Sequence, residues 1–213
     1  MPIIRLFLYF SFPLFFSTNL AAEVDKTAPP HPARPAESII AQIQQARANK
    51  DSLLRHDPHS PIPADLRSTF KGLDYFPIDL QFFLIGDLHI YGRRRQIQVP
   101  ATDGDFMPME RFGRFVAHLG EKPFWLEVYR SLEDNSLTIL FTDKTNGKET
   151  YSGGRYTHLS NLGNGQYLLD FNESYNPYCA YNADYICPMP PAQNRLPLAI
   201  RAGEKAFGAD LAH

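Results

Sequence analysis

The chain has little cysteine and almost no tryptophan: two of the first and one of the second in 213 residues. Two cysteines exclude a disulfide-dense miniature scaffold, and the short spacing of Cys179 and Cys187 does not follow a zinc-ligand pattern. Neither charge sign is in excess. Lys and Arg number 21 and Asp and Glu 23, a formal charge of −2. That balance gives no electrostatic case for nucleic acid or an anionic membrane as partner. No apolar run reaches the roughly 20 residues of a membrane-spanning helix. The longest, residues 6–16, is broken by Ser11 and Pro13. There is no internal repeat, no βαβ alternation, no Gly-x-Ser-x-Gly and no His-Glu-x-x-His. The histidines form no ligand set, since His56 and His59 lie in a proline-bounded loop without helical support. No metal and no cofactor are expected.

The chain does carry an export pattern. Arg5 precedes the apolar stretch, and small residues ending in Ala21 and Ala22 follow it. These are the parts of a secretory signal over residues 1–22, which places the mature protein in the periplasm or outside the cell, with no membrane insertion after cleavage. In such a compartment Cys179 and Cys187 are expected to pair as a disulfide. Residues 23–35, with Pro29, Pro30, Pro32 and Pro35, read as a flexible linker. Residues 36–208 then read as one mainly β domain with N-terminal helices.

Within that domain Ile39, Ile40, Ile43 and Ala46 recur at helical spacing from residue 36 to about residue 55, ended by Asp57-Pro58. A second short helix is expected over residues 65–70, with Leu66, Phe70 and Leu73 as its buried side and Gly72 as its stop. Strands are expected at residues 80–85, 96–99 and 124–129, and around Leu137, Ile139 and Phe141 and Tyr167, Leu169 and Phe171. A last one is expected at residues 196–200. In residues 124–129, Phe124, Leu126 and Val128 share one side and Trp125, Glu127 and Tyr129 the other. Asp143 to Lys148, with Asn146-Gly147, reads as a tight reversal. Strands at this spacing point to an antiparallel barrel or sandwich.

The most distinctive segment lies near the C-terminus. From Asp170 it reads Asp-Phe-Asn-x-x-Tyr-Asn-Pro-x-Cys-Ala-Tyr, then from Tyr185 Tyr-x-Cys-Pro-x-Pro-Pro, then Asn194-Arg195-Leu196 and Ala202-Gly-Glu-Lys. It follows Thr145-Asn-Gly-Lys-Glu-Thr-Tyr-Ser-Gly-Gly-Arg-Tyr156. With Lys50-Asp51, Ser60-Pro61 and Phe70-Lys-Gly-Leu-Asp-Tyr-Phe-Pro77, these runs resemble Domain of Unknown Function family 1684, over about residues 39–207. His158 departs from the family pattern, which has an acidic residue there. The resemblance implies a shared, mostly β domain and no activity.

The residues themselves suggest a site. Asp170 and Asn172 lie opposite the apolar side of their strand. Asp170 is a candidate hydrogen-bond acceptor, acid or base, or a partner for Arg155 or Arg195. Gly153-Gly154 permit a turn or a close backbone approach beside Arg155, which could grip a carboxylate or phosphate. Asn176 and Asn194 suit irregular loops, and Tyr175 and Tyr181 offer flat apolar faces with a polar tip. The favoured reading is an exported module binding a small molecule or a cell-envelope ligand, with Arg155, Asp170, Asn172, Tyr175, Asn176, Tyr181, Asn194 and Arg195 around one pocket. The competing reading is a hydrolase-type enzyme with Asp170 or Glu204 as acid or base and Arg155 stabilising negative charge. In a third, the motif only holds the fold.

Overall fold

The computed structural model describes residues 35–132 and 134–208. The expected signal at 1–22 and nearly all of the linker at 23–35 lie outside the described residues. The first helix, α1 (Ala36–His56), buries Ile43, a member of the periodic apolar set, together with Leu54. It stops where Asp57, in extended conformation, precedes Pro58. The second, α2 (Ala64–Arg67), is a single turn with no buried residue. Phe70 packs beneath it with Leu54, Ile62 and Tyr181, but Leu66 is 47% exposed and faces water, contrary to expectation.

Six antiparallel strands follow: β1 (Phe83–Pro100), β2 (Phe106–Leu119), β3 (Lys122–Arg130), β4 (Leu137–Phe141), β5 (Arg155–Gly163) and β6 (Gln166–Asp170). They pair in chain order, and β6 pairs back to β1 from Phe83↔Asp170 to Asp87↔Gln166, closing a barrel. Closure removes the free edges that an open sheet would present. The interior is filled by Leu84, Phe115, Leu126, Val128, Ile139, Phe141, Leu159 and Leu169. On β3 the alternation is the expected one, with Leu126 and Val128 inward and Tyr129 in a separate cluster outside. That outer cluster exists because β1 and β2 extend past the barrel as a bent arm. Val99, Ile97 and Met109 of the arm cover Tyr129, Leu140 and Tyr156. The bend coincides with a register shift between Ile90 and Arg95, as bulges produce.

Three boundaries differ from the sequence reading for local reasons. Residues 80–82 form a 3-10 turn because the Asp79 side chain accepts from the Gln81 N–H at 3.0 Å, so the strand begins at Phe83. Asn146-Gly147 does turn the chain, but inside a long connection spanning residues 142–154 rather than a tight hairpin. Asn146 Oδ1 accepts from Asp143 N at 2.5 Å and its Nδ2 donates to Tyr151 O at 2.7 Å. Residues 196–200 form no strand. Leu196 N donates to Thr142 O at 2.8 Å, and Pro197, lacking an N–H, breaks the ladder. This strap instead sends Leu196, Ile200 and Ala202 into the barrel core. Antiparallel order puts the start of β1, the end of β2, the start of β5, the end of β6 and the strap at one end of the barrel.

Candidate functional site

Arg155 opens β5 with its side chain fully buried. Its guanidinium pairs with Asp143 Oδ2 at 2.9 Å and donates to the carbonyls of Ile200 at 2.8 Å, Glu204 at 3.2 Å and Ala202. Burial pulls its pKa down, and the Asp143 carboxylate opposes that. Asp143 Oδ1 accepts from Ile200 N at 3.2 Å, so the ion pair grips the strap from both partners. Gly154 makes the approach possible. Its φ is +97°, and a Cβ there would lie 2.7 Å from Phe141 O and 2.5 Å from Pro190 Cγ.

Asp170 pairs with neither Arg155 nor Arg195. It caps the 3-10 turn after β6, Oδ1 accepting from Asn172 N at 2.8 Å and Asn172 Nδ2 at 2.9 Å. Burial pushes its pKa up, while those hydrogen bonds act in the opposite direction. Asn172 in turn holds both backbone groups of Asp79, each at 2.9 Å. Asn194 works in the same manner elsewhere. β3 and β4 pair at only two positions, Tyr129↔Thr138 and Arg130↔Leu137. Farther along, the Asn194 side chain takes over, accepting from Glu127 N at 2.8 Å and donating to the carbonyls of Glu127 at 2.9 Å and Leu140 at 2.8 Å. Arg195 is exposed.

Four of the candidate residues do meet. The Glu204 carboxylate is 1% exposed. Oε2 accepts from Asn176 N at 2.8 Å and the Tyr181 hydroxyl at 2.5 Å, and Oε1 pairs with Lys50 Nζ at 2.5 Å. The Lys50 ammonium lies 4.9 Å from the Tyr175 ring centre and 5.9 Å from that of Tyr181. Burial and the neighbouring Glu204 charge raise the Tyr181 pKa well above its ordinary value. Lys50, on α1, had no role assigned from sequence. Its only signal was the Lys50-Asp51 pair among the runs shared with the family. The eight side chains expected around one pocket therefore surround no single hollow. They divide into an Arg155 clamp, an Asp170–Asn172 cap, an Asn194 bridge, a Glu204 centre and the outlying Arg195.

Cys179 and Cys187 stand side by side as thiols rather than a disulfide, with Cys179 N donating to Cys187 Sγ at 3.3 Å. Hydrogen bonding between the two thiols lowers the Cys179 pKa and, with burial, raises that of Cys187. Among the described residues no three His, Cys, Asp or Glu side chains gather to hold a metal ion.

Open space occurs at the strapped end of the barrel. A depression of about 390 Å³ is lined by Asp79, Gln81, Phe82, Leu119, Leu198 and Arg201. Every one of its movable segments is tied from behind: Asn172 holds Asp79, Arg155 holds the carbonyls on both sides of Arg201, and Lys144 N donates to Leu198 O at 3.0 Å. Arg201, at the rim, is paired with Glu149 at 2.9 Å. Sequence reasoning missed this lining because none of its side chains belongs to the polar motif. The motif lies one layer behind it.

Two changes test these assignments. Arg155→Met leaves Asp143 buried without its partner and should cost about 3–5 kcal/mol of stability in urea unfolding. A loss below about 1 kcal/mol would contradict the clamp. Asp170 binds a proton more readily folded than unfolded. Its contribution is thus present at acid pH and lost as pH rises through the raised pKa. Relative to Asp170→Asn, the native protein should gain stability as pH falls from neutral into the acid range. A difference independent of pH in the same urea series would contradict this.

No curated protein matches the chain. A solved structure does: the solution NMR structure of the uncharacterized protein from gene locus rrnAC0354 of Haloarcula marismortui. It is 32% identical, with a TM-score of 0.64, over 83% of this chain and 97% of that one. The profile of one protein family matches residues 68–205, a span containing the whole barrel, the Arg155 clamp and Glu204. The chain thus belongs to the family described as Protein of unknown function (DUF1684).

Proposed function

We propose that the protein is an exported binding module that takes a small amphipathic ligand at the strapped end of its barrel. The observation carrying this reading is that the lining of the depression is fixed from behind by buried polar side chains, Asn172 on Asp79 and Arg155 on either side of Arg201. Binding sites need such support, because side chains held in place lose less freedom when a ligand arrives. The volume of about 390 Å³ falls within the roughly 300–1,000 Å³ common for small-molecule sites. Phe82, Leu119 and Leu198 offer apolar contact, and Gln81, Asp79 and Arg201 offer hydrogen bonds at the rim. Export to the periplasm or beyond rests on the signal pattern of residues 1–22, and the oxidising surroundings would convert the adjacent thiols of Cys179 and Cys187 to a disulfide.

Screening a set of aliphatic and aromatic carboxylates by NMR tests the site. Shifts are expected at the amides of Leu119, Leu198 and Arg201, and Leu198→Trp should abolish them without lowering stability. Shifts confined to another surface, or none at millimolar concentrations, would overturn the reading. Thiol titration tests the oxidation state. Protein recovered after export should show no free thiol even when unfolded, and reduction should lower its stability by about 2–3 kcal/mol. Two reactive thiols would refute the disulfide.

A further inference from the structure

The depression at the strapped end holds charges of both signs beside an apolar wall. Asp79 and Arg201 both line it. Tyr75 bridges Glu204 in antiparallel fashion and Phe76 N donates to Gly203 O at 2.9 Å. From that junction one segment leads on to Asp79 and the other leads back to Arg201. The Asp79 carboxylate accepts from Gln81 N at 3.0 Å and from the Gln81 side chain. No cation pairs with it among the described residues. An ionised carboxylate has about four acceptor positions, so capacity remains. Arg201 gives Nε and Nη2 to Glu149, at 3.0 and 2.9 Å, and its Nη1 has no partner among the described residues. The Arg201 side chain is 62% exposed, so its pair with Glu149 is weak. The wall beside these charges is fixed. Phe82 stands edge-on to Phe171 with ring centres 6.5 Å apart, and Leu119 and Leu198 pack against the barrel core.

We propose, on the basis of the binding site described above, that its ligand is a zwitterion with an apolar body, an α-amino acid with an aliphatic side chain. The ammonium meets Asp79, the carboxylate meets the Nη1 edge of Arg201, and the side chain lies on Phe82, Leu119 and Leu198. The two charges select by repulsion as well as by attraction. A ligand with only a carboxylate faces Asp79 and Glu149 with nothing to offset them. A ligand with only an ammonium sets a like charge against Arg201. Phosphorylated ligands fit worse than either, since their extra negative charge meets two acids and one guanidinium.

Three compounds sharing one hydrocarbon body test the assignment: L-leucine, 4-methylpentanoate, which lacks the ammonium, and 3-methylbutylamine, which lacks the carboxylate. Each is titrated at neutral pH while the amide shifts of Leu119, Leu198 and Arg201 are followed. L-Leucine should bind about fivefold more tightly than either of the others. Asp79→Asn keeps a side-chain acceptor for Gln81 N and should erase the preference for L-leucine over 4-methylpentanoate. Arg201→Gln should erase the preference over 3-methylbutylamine. Urea midpoints should stay unchanged in both variants. Either single-charge compound binding as tightly as L-leucine, or a preference that survives both substitutions, would overturn the zwitterion and leave the site standing. No shift from any of the three, nor from the wider set of carboxylates, would remove the site and its ligand together.

Discussion

The buried ion pair of Arg155 and Asp143 is the constraint on which the rest of the structure depends. Neither group reaches water, so each needs the other and a full set of hydrogen bonds. Those bonds come from the strap. Its carbonyls at Ile200 and Ala202 accept from Arg155, and its Ile200 N–H reaches Asp143. Holding the strap places Leu196, Ile200 and Ala202 in the barrel as a plug, and it delivers Glu204 to the point where Tyr181, Asn176 and Lys50 converge. Through Lys50 the helix α1 is drawn onto the same end. One pair thus links β5, the long connection before it, the strap and the N-terminal helix.

Much of the fold was legible in the sequence, and the reasons are particular. Leu126 and Val128 alternate with residues of the outer layer because one side of β3 faces the apolar core of the barrel. The spacing of Ile39, Ile40 and Ile43 made α1 visible for the same reason. β2 was not legible. It holds Pro108 and Gly113, and part of it faces the barrel while part faces the arm's own packing, so no single period runs through Phe106–Leu119. β5 was hidden by a buried arginine and threonine where an apolar residue would announce a strand. Residues 196–200 show the opposite error: an apolar run read as a strand is a plug, which depends on what lies across from it rather than on its own pattern.

The candidate site divides along the same line. Residue type correctly marked the polar motif as a place of specific contacts, since buried backbone groups of an irregular loop demand partners. It could not tell contacts made within the protein from contacts offered to a guest. Asn194 illustrates why: its three bonds reach residues more than fifty positions away.

Because β1 has β6 as its second neighbour, the first strand made is also the last to be completed. A chain that emerges from its N-terminus onward can assemble hairpins in turn, but the Phe83–Asp87 border stays unpaired until residues 166–170 arrive. The strap that seals the end comes later still. Final assembly therefore waits for residues 166–204, and contacts so distant along the chain are slow to form. A protein built in this order stays pliant until its last segments are in place and becomes rigid only then.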